Sequence, residues 1–291
     1  MLLAPWRRVK LYVCSHRPTA LTRTYARLRL PCVFACIFLV SFRTRTRDAS
    51  ASVHFLTFAS SDIDLSQLRE EASFFRFRSE RFYNESSLHG TAFWLQHKNF
   101  IQSNRRGYGY WIWKPFFILE RLRQLPEDEV LLYADGGCSL NYEGAVRLQE
   151  YITRASSNRG LLLFHLPLDE EVYSKRDCVE RILPNVSPED LGKQRIATTM
   201  LIVNSNSTKI FFEEVLNISK ENNYHYLDDS QSRGGESTIF IDHRHDQSII
   251  SLLSKKHGYS SIPDETYPPK KAISLRAPVI ATRRKPRKKD N

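Results

Sequence analysis

Short stretches of the sequence combine side chains that could bind and transform a polar ligand. Gly107–Pro115, GYGYWIWKP, places four aromatic residues within six positions beside Lys114. Aromatic faces stack on bases and sugars, and a lysine meets phosphate as a point charge. Trp111 and Trp113 are therefore candidates for ligand stacking and Lys114 for phosphate binding. A packed aromatic turn that caps the following helix is the alternative.

Asp135 and Gly136 follow the apolar stretch Glu129–Ala134, EVLLYA, which predicts a buried strand. A carboxylate at a strand end can meet a sugar hydroxyl, a ribose or a metal-bound diphosphate, and an adjacent glycine lets the backbone approach closely. An ordinary Asp-Gly turn between two elements would use the same residues.

Two charged stretches occur later in the chain. Lys175, Arg176 and Asp177 lie in a predicted loop after the apolar run Gly160–His165, where they would bind a diphosphate or form a solvated loop. The stretch HRHDQ then leads into a predicted helix, and five polar residues before an apolar stripe are typical of a site edge. Its aspartate could instead serve only as the helix N-cap. These residues are His243, Arg244, His245, Asp246 and Gln247.

Hydrophobic patterning predicts alternating strands and helices. The expected strands are Ser52–Ala59, Glu129–Ala134, Gly160–His165 and Thr198–Val203, and the expected helices are Asp64–Tyr83, Pro115–Leu125, Asn141–Arg154, Ser207–Asn222 and Asp246–His257. This alternation predicts an α/β domain whose mostly parallel central sheet is flanked by helices. In such sheets a ligand binds at the carboxyl ends of the strands.

The net charge of +11 is unevenly distributed. Met1–Asp48 has ten basic residues and one acidic residue, Lys270–Asn291 has nine and one, and the remainder has 24 and 30. Nucleic-acid-binding domains usually cluster basic residues on one face of the fold. An acidic body with basic ends therefore argues against a nucleic-acid partner, and the proline- and lysine-rich tail is predicted to be disordered.

Leu30–Phe42, LPCVFACIFLVSF, is an uncharged run of thirteen residues between arginine-rich flanks. Runs of this length are typical of core helices, signal peptides or interfacial segments, because a membrane span needs about 17–25 residues. Arginines at both ends can lengthen the span by snorkelling. We predict a single-pass anchor with a cytosolic N-terminus and a lumenal body. A signal peptide cleaved near Ala49–Ala51 is the alternative.

Two further features concern a lumenal body. Four N-x-S/T sequons predict N-glycans at Asn84, Asn185, Asn206 and Asn217. Cys138 and Cys178 are the only cysteines of the body. In an oxidising lumen they would form one disulfide, or they would remain two buried thiols.

Taken in order, YGYWIWKP, LLYADGGCSLN, SKRD and HRHDQSIISLL resemble a family of glycosyltransferases with the GT-A, or nucleotide-diphospho-sugar transferase, fold. The resemblance spans about Val53 to Tyr259, and WKP and HRHDQS are its most specific parts. It implies a nucleotide-sugar donor and an anchor-first layout in the membrane of the Golgi or endoplasmic reticulum. The expected segments are a cytosolic N-terminus at 1–29, an anchor at 30–42, a stem at 43–51, a GT-A-like domain at 52–262 and a disordered basic tail at 263–291.

The resemblance implies transfer of a sugar from a nucleoside diphosphate to a carbohydrate or glycoprotein acceptor. Asp246 would be the base toward the acceptor hydroxyl if configuration inverts, or an electrostatic stabiliser if it is retained, and Gln247 would hold sugar hydroxyls. Lys114, Arg176 and Arg244 would offset the charge of the diphosphate. A lumenal carbohydrate-binding protein without turnover, on the same fold, is the alternative.

The sequence departs from the family at one point. GT-A enzymes commonly hold Mn²⁺ with a D-x-D motif, whereas this chain has Asp135 followed by two glycines. Asp135 and His245 could together hold Mn²⁺ or Mg²⁺, since imidazole is an acceptable ligand for such metals. Lysine and arginine side chains could instead replace the metal charge, and the sequence leaves both alternatives open.

Overall fold

The structure, a computed structural model, describes residues 53–60, 63–267 and 276–282. The predicted N-terminal segment, anchor and stem at 1–51 and the basic residues 283–291 lie outside this part of the chain. Among the described residues, no helix combines the length and the apolar character that crossing a bilayer requires.

A seven-stranded sheet forms the centre of the described domain. The strands are β1 Val53–Phe58, β2 Ser79–Tyr83, β3 Val130–Ala134, β4 Ser139–Leu140, β5 Leu161–Asp169, β6 Lys193–Arg195, β7 Thr199–Val203, β8 Ser261–Pro263 and β9 Val279–Ile280. In the central sheet the order is β2-β1-β3-β7-β5-β6, with β8 paired to β5, whereas β4 and β9 form a separate two-stranded sheet.

Most strands of the central sheet run in the same direction. β1 pairs in parallel with β2 and β3, and β8 pairs in parallel with β5. β7 is antiparallel to both β3 and β5, and β6 is antiparallel to β5. The prediction of a mostly parallel α/β sheet is confirmed, with β6 and β7 as the two reversed strands.

Helices cover both faces of this sheet. They are α1 Ser66–Phe75, α2 Ala92–Ser103, α3 Gly107–Tyr110, α4 Trp113–Gln124, α5 Ala145–Ser157, α6 Glu170–Tyr173, α7 Arg176–Ile182, α8 Asn206–Tyr224 and α9 Asp246–Lys256. Alternate residues of β3 enter different apolar clusters: Leu131 and Tyr133 pack with α4, α8 and α9, and Val130 and Leu132 pack with α1 and α5. Burial on both faces explains the nearly continuous apolar strand sequences.

Some expected elements differ from the observed ones. The helix expected over Asp64–Tyr83 ends at Phe75, where Arg76 adopts a left-handed conformation, and the same segment continues into β2. That strand is polar and only partly buried, so it lacks the apolar run by which the other strands were predicted. α2 was not predicted, and the expected loop around Lys175 continues into α7.

The predicted domain boundary at 262 is wrong. Tyr267 lines a cavity of the domain, and Ala277 and Val279 are buried in it. β9 pairs with β4, so that the segment from 276 to 282 belongs to the folded domain and not to a disordered tail. Within 276–282 the buried side chains are the short run Ala277, Pro278 and Val279, which is too short an apolar pattern to stand out against the basic composition.

Both body cysteines are buried free thiols. Cys138 packs in the cluster with α1 and α5, whereas Cys178 packs in the cluster on the other face of the sheet. Of the two predicted alternatives, two buried thiols are therefore the one observed, because the central sheet lies between the two side chains. All four sequon asparagines are exposed, and glycosylation there remains a prediction.

Candidate active site

Two adjoining cavities lie at the carboxyl ends of β1 and β3 and share Trp111 and Asp135. The first, called the Asp246 cavity, has a volume of about 440 Å³. The second, called the Gly136 cavity, has a volume of about 800 Å³. Both sizes fall in the range of about 300–1,000 Å³ that is usual for small-ligand sites. The cavities thus lie at the edge of the sheet at which a ligand site was predicted.

Their walls combine apolar, cationic and acidic side chains. The Asp246 cavity is lined by Arg106, Trp111, Lys114, Asp135, Leu166, Pro167, Leu168, Ile196, Ala197, Thr198, Arg244, His245, Asp246, Gln247 and Tyr267. The Gly136 cavity is lined by Phe58, Ala59, Ser60, Ile63, Glu85, Ile101, Gln102, Arg105, Gly107, Tyr108, Trp111, Trp113, Asp135, Gly136 and Gly137.

A buried ammonium group holds two carboxylates together in the wall of the Asp246 cavity. Lys114 lies in the first turn of α4 and is 2% exposed. Its Nζ is 2.6 Å from Oδ2 of Asp246 and 3.2 Å from Oδ1 of Asp135, and it donates to the carbonyl oxygen of Ala197 at 3.2 Å. Burial alone would lower the pKa of Lys114, but the two carboxylates outweigh burial and raise that pKa, so the ammonium stays charged.

Asp246 is the first residue of α9 and is almost fully buried. Burial raises the pKa of its carboxyl to about 6, because the attraction of Lys114 only partly offsets desolvation and Asp135 adds repulsion. The alternative role as a simple N-cap does not describe it, since His245 occupies the cap position and the Asp246 side chain contacts Lys114. A carboxyl poised near pH 6 beside a cavity suits proton transfer.

Asp135 is held at the junction of the two cavities by the strand that precedes it. The hydroxyl of Tyr133 donates to Oδ1 of Asp135 at 2.6 Å, and the Asp135 amide donates to the Thr198 carbonyl at 2.9 Å. Gly136 allows β1 to pass close by: a Cβ there would lie 2.8 Å from both the Ala59 Cβ and the Phe58 carbonyl oxygen. The first glycine after Asp135 is therefore required by packing.

The aromatic stretch forms a turn of reversed handedness. All five residues from Gly107 to Trp111 have positive φ angles, between 52° and 84°. A Cβ on Gly107 would lie 2.3 Å from the Trp111 ring, so only glycine allows this turn to close. Trp111 projects between the two cavities, whereas Trp113 stacks on Phe58 with ring centroids 3.8 Å apart. The stretch thus supplies both a cavity wall and a core contact.

The residues of the HRHDQ stretch have different positions. Arg244, His245, Asp246 and Gln247 line the Asp246 cavity, whereas His243 is buried behind it, where it accepts from the Lys175 amide and donates to the Tyr226 carbonyl. Burial lowers the pKa of both histidines, which keeps them neutral. The guanidinium of Arg244 lies 4.5 Å from the centre of the Tyr173 ring.

Gln247 is held in one orientation by partners that sequence analysis did not single out. Its Oε1 accepts from the Ala197 amide at 3.3 Å, and its Nε2 donates to Oε1 of Gln194 at 2.8 Å. Gln194 is fully buried and donates to the Tyr173 carbonyl at 3.1 Å. An isolated glutamine in the short polar strand KQR carries no sequence pattern that could have identified this contact.

Lys175, Arg176 and Asp177 line neither cavity. Lys175 is buried and its Nζ donates to Asp228 and Ser230, at distances between 3.0 and 3.3 Å. Arg176 donates to the Gly234 carbonyl, and Asp177 accepts from His225 and from the Arg233 amide. In this structure the three side chains hold the loop between α8 and α9.

Two arginines of the site were not predicted. Arg105 lines the Gly136 cavity, and Arg106 lines the Asp246 cavity, where it pairs with Asp229 and Asp242 at 3.0 Å each. They directly precede Gly107 in the sequence. A basic pair next to a glycine-aromatic stretch would have been the pattern to look for.

The predicted metal pair, Asp135 and His245, lines one cavity, and one donor atom of each residue is engaged elsewhere. Oδ1 of Asp135 contacts Lys114 and accepts from Tyr133. Nδ1 of His245 donates to the Leu227 carbonyl, whereas its Nε2 is buried without a hydrogen-bond partner in the described part of the chain and lies 3.6 Å from Asp229. Within the described ranges, three or more His, Cys, Asp or Glu side chains nowhere converge as a metal-ligand set. The side-chain arrangement does not fit a divalent ion held between Asp135 and His245.

No protein-family model and no curated protein matches the chain. It is similar to the apo form of mouse xyloside xylosyltransferase 1, with 12% identity and a TM-score of 0.42 over 74% of this chain and 86% of that one. A glycosyltransferase involved in glycosylation of the major capsid of PBCV-1 has 13% identity and a TM-score of 0.42, over 78% and 92%. The apo-form glycosyltransferase GlyE of Streptococcus pneumoniae TIGR4 has 14% identity and a TM-score of 0.33, over 73% of this chain and 45% of that one.

Proposed function

We propose that this chain is a GT-A-type glycosyltransferase that moves a sugar from a nucleoside diphosphate to a carbohydrate or glycoprotein acceptor. The observation that carries the proposal is the meeting of two cavities at Asp135 and Trp111, with the Lys114-bound Asp246 in the wall of one of them. A transferase must bring two substrates together at one reacting atom, and two cavities with a shared wall provide for that.

In this proposal the Gly136 cavity takes the nucleoside diphosphate. It is the larger cavity, it combines aromatic walls for a base with Arg105 for phosphate, and it lies at the ends of two parallel strands. The donor sugar then lies at the junction, against Asp135 and Trp111. The acceptor enters the Asp246 cavity, where Gln247 holds a sugar hydroxyl in a fixed orientation.

The chemical step forms a bond between an acceptor hydroxyl oxygen and the anomeric carbon while the bond from that carbon to the diphosphate breaks. If configuration inverts, Asp246 accepts the hydroxyl proton. If it is retained, the departing diphosphate takes the proton and Asp246 stabilises positive charge on the sugar. Arg105, in the wall of the Gly136 cavity, offsets the charge that develops on the leaving diphosphate, and Arg106 and Arg244 lie across the junction in the wall of the acceptor cavity.

The cellular setting is part of the same proposal. The body would face the lumen of the Golgi or endoplasmic reticulum behind a single N-terminal anchor with a cytosolic N-terminus. Exposure of the four sequon asparagines supports it, since a glycan can be accommodated on each of them. Expression in secretory cells followed by deglycosylation and a mobility assay tests this part: an unchanged mobility would contradict a lumenal body.

A panel of sugar nucleotides tests the proposed reaction. The purified full chain should release a nucleoside diphosphate from one donor, faster with an acceptor present, and Asp246→Asn should abolish release while remaining folded. The absence of release from every donor, together with no thermal shift with UDP or GDP, would contradict the proposal. Retained glycan binding without any turnover would instead favour a non-catalytic carbohydrate-binding protein.

A further inference from the structure

The position between the two acidic residues of the site is already filled by a cation of the chain. The Lys114 ammonium lies 2.6 Å from Asp246 and 3.2 Å from Asp135, and its third contact is the Ala197 carbonyl. It also lies 5.3 Å from the centre of the Tyr133 ring. These contacts come from three separate chain segments, so the ammonium is held from several sides in a nearly water-free position.

A divalent ion at the same place would need the same oxygens. Mn²⁺ and Mg²⁺ prefer carboxylate and carbonyl oxygen ligands in close contact. The ammonium contacts both carboxylates that could supply them, and its own charge would repel a second cation nearby. His245 does not complete a ligand set. Its Nε2 has no hydrogen-bond partner, but the Asp229 carboxylate that faces it is paired with Arg106, and three metal-ligating side chains nowhere converge within the described ranges.

We propose that Lys114 is a built-in counter-cation that takes the place of a divalent metal, so that this chain binds its nucleotide without Mn²⁺ or Mg²⁺. The proposal rests on the proposed transferase function for the identity of the ligand. Its structural part, exclusion of a metal by the ammonium, does not depend on that function. The negative charge of the diphosphate is then met by Arg105, which lines the Gly136 cavity.

The structural part is tested by titrating the full chain with Mn²⁺ and following the electron paramagnetic resonance of the free ion. The wild-type chain should leave the Mn²⁺ signal unchanged up to millimolar concentrations. Saturable binding that disappears in Asp135→Asn would overturn the proposal. This measurement needs no nucleotide and no activity, so it is decisive even if the proposed function fails.

Removal of the ammonium provides the complementary test. Lys114→Ala frees both carboxylates and should gain Mn²⁺ binding at least tenfold tighter than the wild-type chain, and Lys114→Ala/Asp135→Asn should lose that gain. A folded Lys114→Ala protein that binds no Mn²⁺ would contradict exclusion by the ammonium. If the variant does not fold, the wild-type titration alone decides.

The functional part is tested by measuring UDP and GDP binding calorimetrically, once with EDTA and once with Mn²⁺. The affinity of the nucleotide that binds should differ by less than twofold between the two conditions. Binding that is at least tenfold tighter with Mn²⁺ would overturn the proposal. Lack of binding in both conditions would contradict the proposed function and leave the Mn²⁺ titration as the test of the ammonium.

Discussion

Two clusters of charged side chains, each with a buried carboxylate, lie at opposite ends of β1 and β3. At the amino end, His54 donates to Glu129 at 2.6 Å, and Arg78 donates to the same carboxylate. Arg121 donates to Ser79 and to Nδ1 of His54. None of these residues lines the Gly136 or the Asp246 cavity.

The carboxyl-end cluster, formed by Lys114, Asp135 and Asp246, also joins cationic and acidic side chains, but it differs in its charge balance and its surroundings. There, two carboxylates share one ammonium, so negative charge exceeds positive charge within the cluster, and all three side chains face a cavity. At the amino end the Glu129 carboxylate contacts Arg78 and His54, and the second guanidinium, that of Arg121, bonds His54 and Ser79. Charge is thus unbalanced in both clusters, with opposite sign. The open volume beside the carboxyl-end cluster is what distinguishes it as a site.

The largest expected difference between the clusters is in activity. Asp246→Asn should lower turnover by about 10²–10⁴-fold, because it removes the group that handles the proton or the sugar charge. Glu129→Gln should keep turnover per folded molecule and lower the free energy of unfolding by about 1.5–3 kcal/mol through a lost charged hydrogen bond. Diphosphate release and urea unfolding measure the two effects. Equal loss of turnover in both folded variants would remove the distinction.

The amino-end cluster should make folding sensitive to acid. Burial, followed by the charges of Arg121 and Arg78, lowers the pKa of His54 from 6.5 to about 4. As the pH falls, His54 therefore takes up a proton in the unfolded chain before it does so in the folded chain. Its contribution to the free energy of unfolding is fully present above the unfolded pKa of 6.5 and is lost as the pH falls through the folded pKa of about 4. The loss should be about 1–3 kcal/mol, because the Glu129 carboxylate would partly stabilise the protonated imidazole. Urea unfolding of His54→Gln should lack this slope; an unchanged slope would assign it to other groups.

The carboxyl-end cluster should make the activity of the folded protein sensitive to acid. With the pKa of Asp246 raised to about 6, kcat/KM should be full above that pH and fall to about one tenth at one pH unit below it. The effect of Asp246 on the free energy of unfolding has the opposite pH dependence to that of His54. Ionising the buried Asp246 carboxyl costs free energy, so its contribution to stability is lost as the pH rises through its folded pKa. The His54→Gln variant serves as control and should keep the wild-type pH–rate profile. A flat profile would exclude Asp246 as the titrating group.

The smallest expected effect concerns the support of Gln247. Gln194→Leu removes the acceptor of the Gln247 amide, so KM for the acceptor should rise by about 2–10-fold, the value of one hydrogen bond, while kcat changes little. Gln149→Leu, at an exposed position, is the matched control. An equal drop in kcat would indicate that Gln194 acts through folding of the whole site.

Sequence analysis predicted those parts of the molecule that depend on local pattern. Apolar runs gave the buried strands, and the strand end at Asp135 and the start of α9 at Asp246 followed from them. Their meeting around Lys114 is a long-range event, because the three residues are far apart in the chain. The resemblance implied that all three residues belong to one site. Only the fold shows that the Lys114 ammonium contacts both Asp135 and Asp246.

Sequence analysis missed or misplaced side chains whose partners lie far away in the chain. Lys175 has the sequence context of a phosphate-binding loop, yet its ammonium holds the backbone near Asp228 and Ser230. Arg106 belongs to the site through pairing with Asp229 and Asp242, which follow it by more than a hundred residues. A charge in a sequence cannot reveal which distant carboxylate it will meet.

The reversed turn at Gly107–Trp111 has a consequence for how this chain tolerates mutation. Tyr110 and Trp111 both stack on His245, with ring centroids 4.6 and 5.6 Å away, and His245 itself has a φ of 54°. Two backbone segments of unusual handedness are thus in contact through their side chains. The effect of a substitution at Tyr110 or Trp111 will depend on the residue at 245, because the effects of substitutions at residues in contact are not additive. The two segments are expected to diverge in evolution only together.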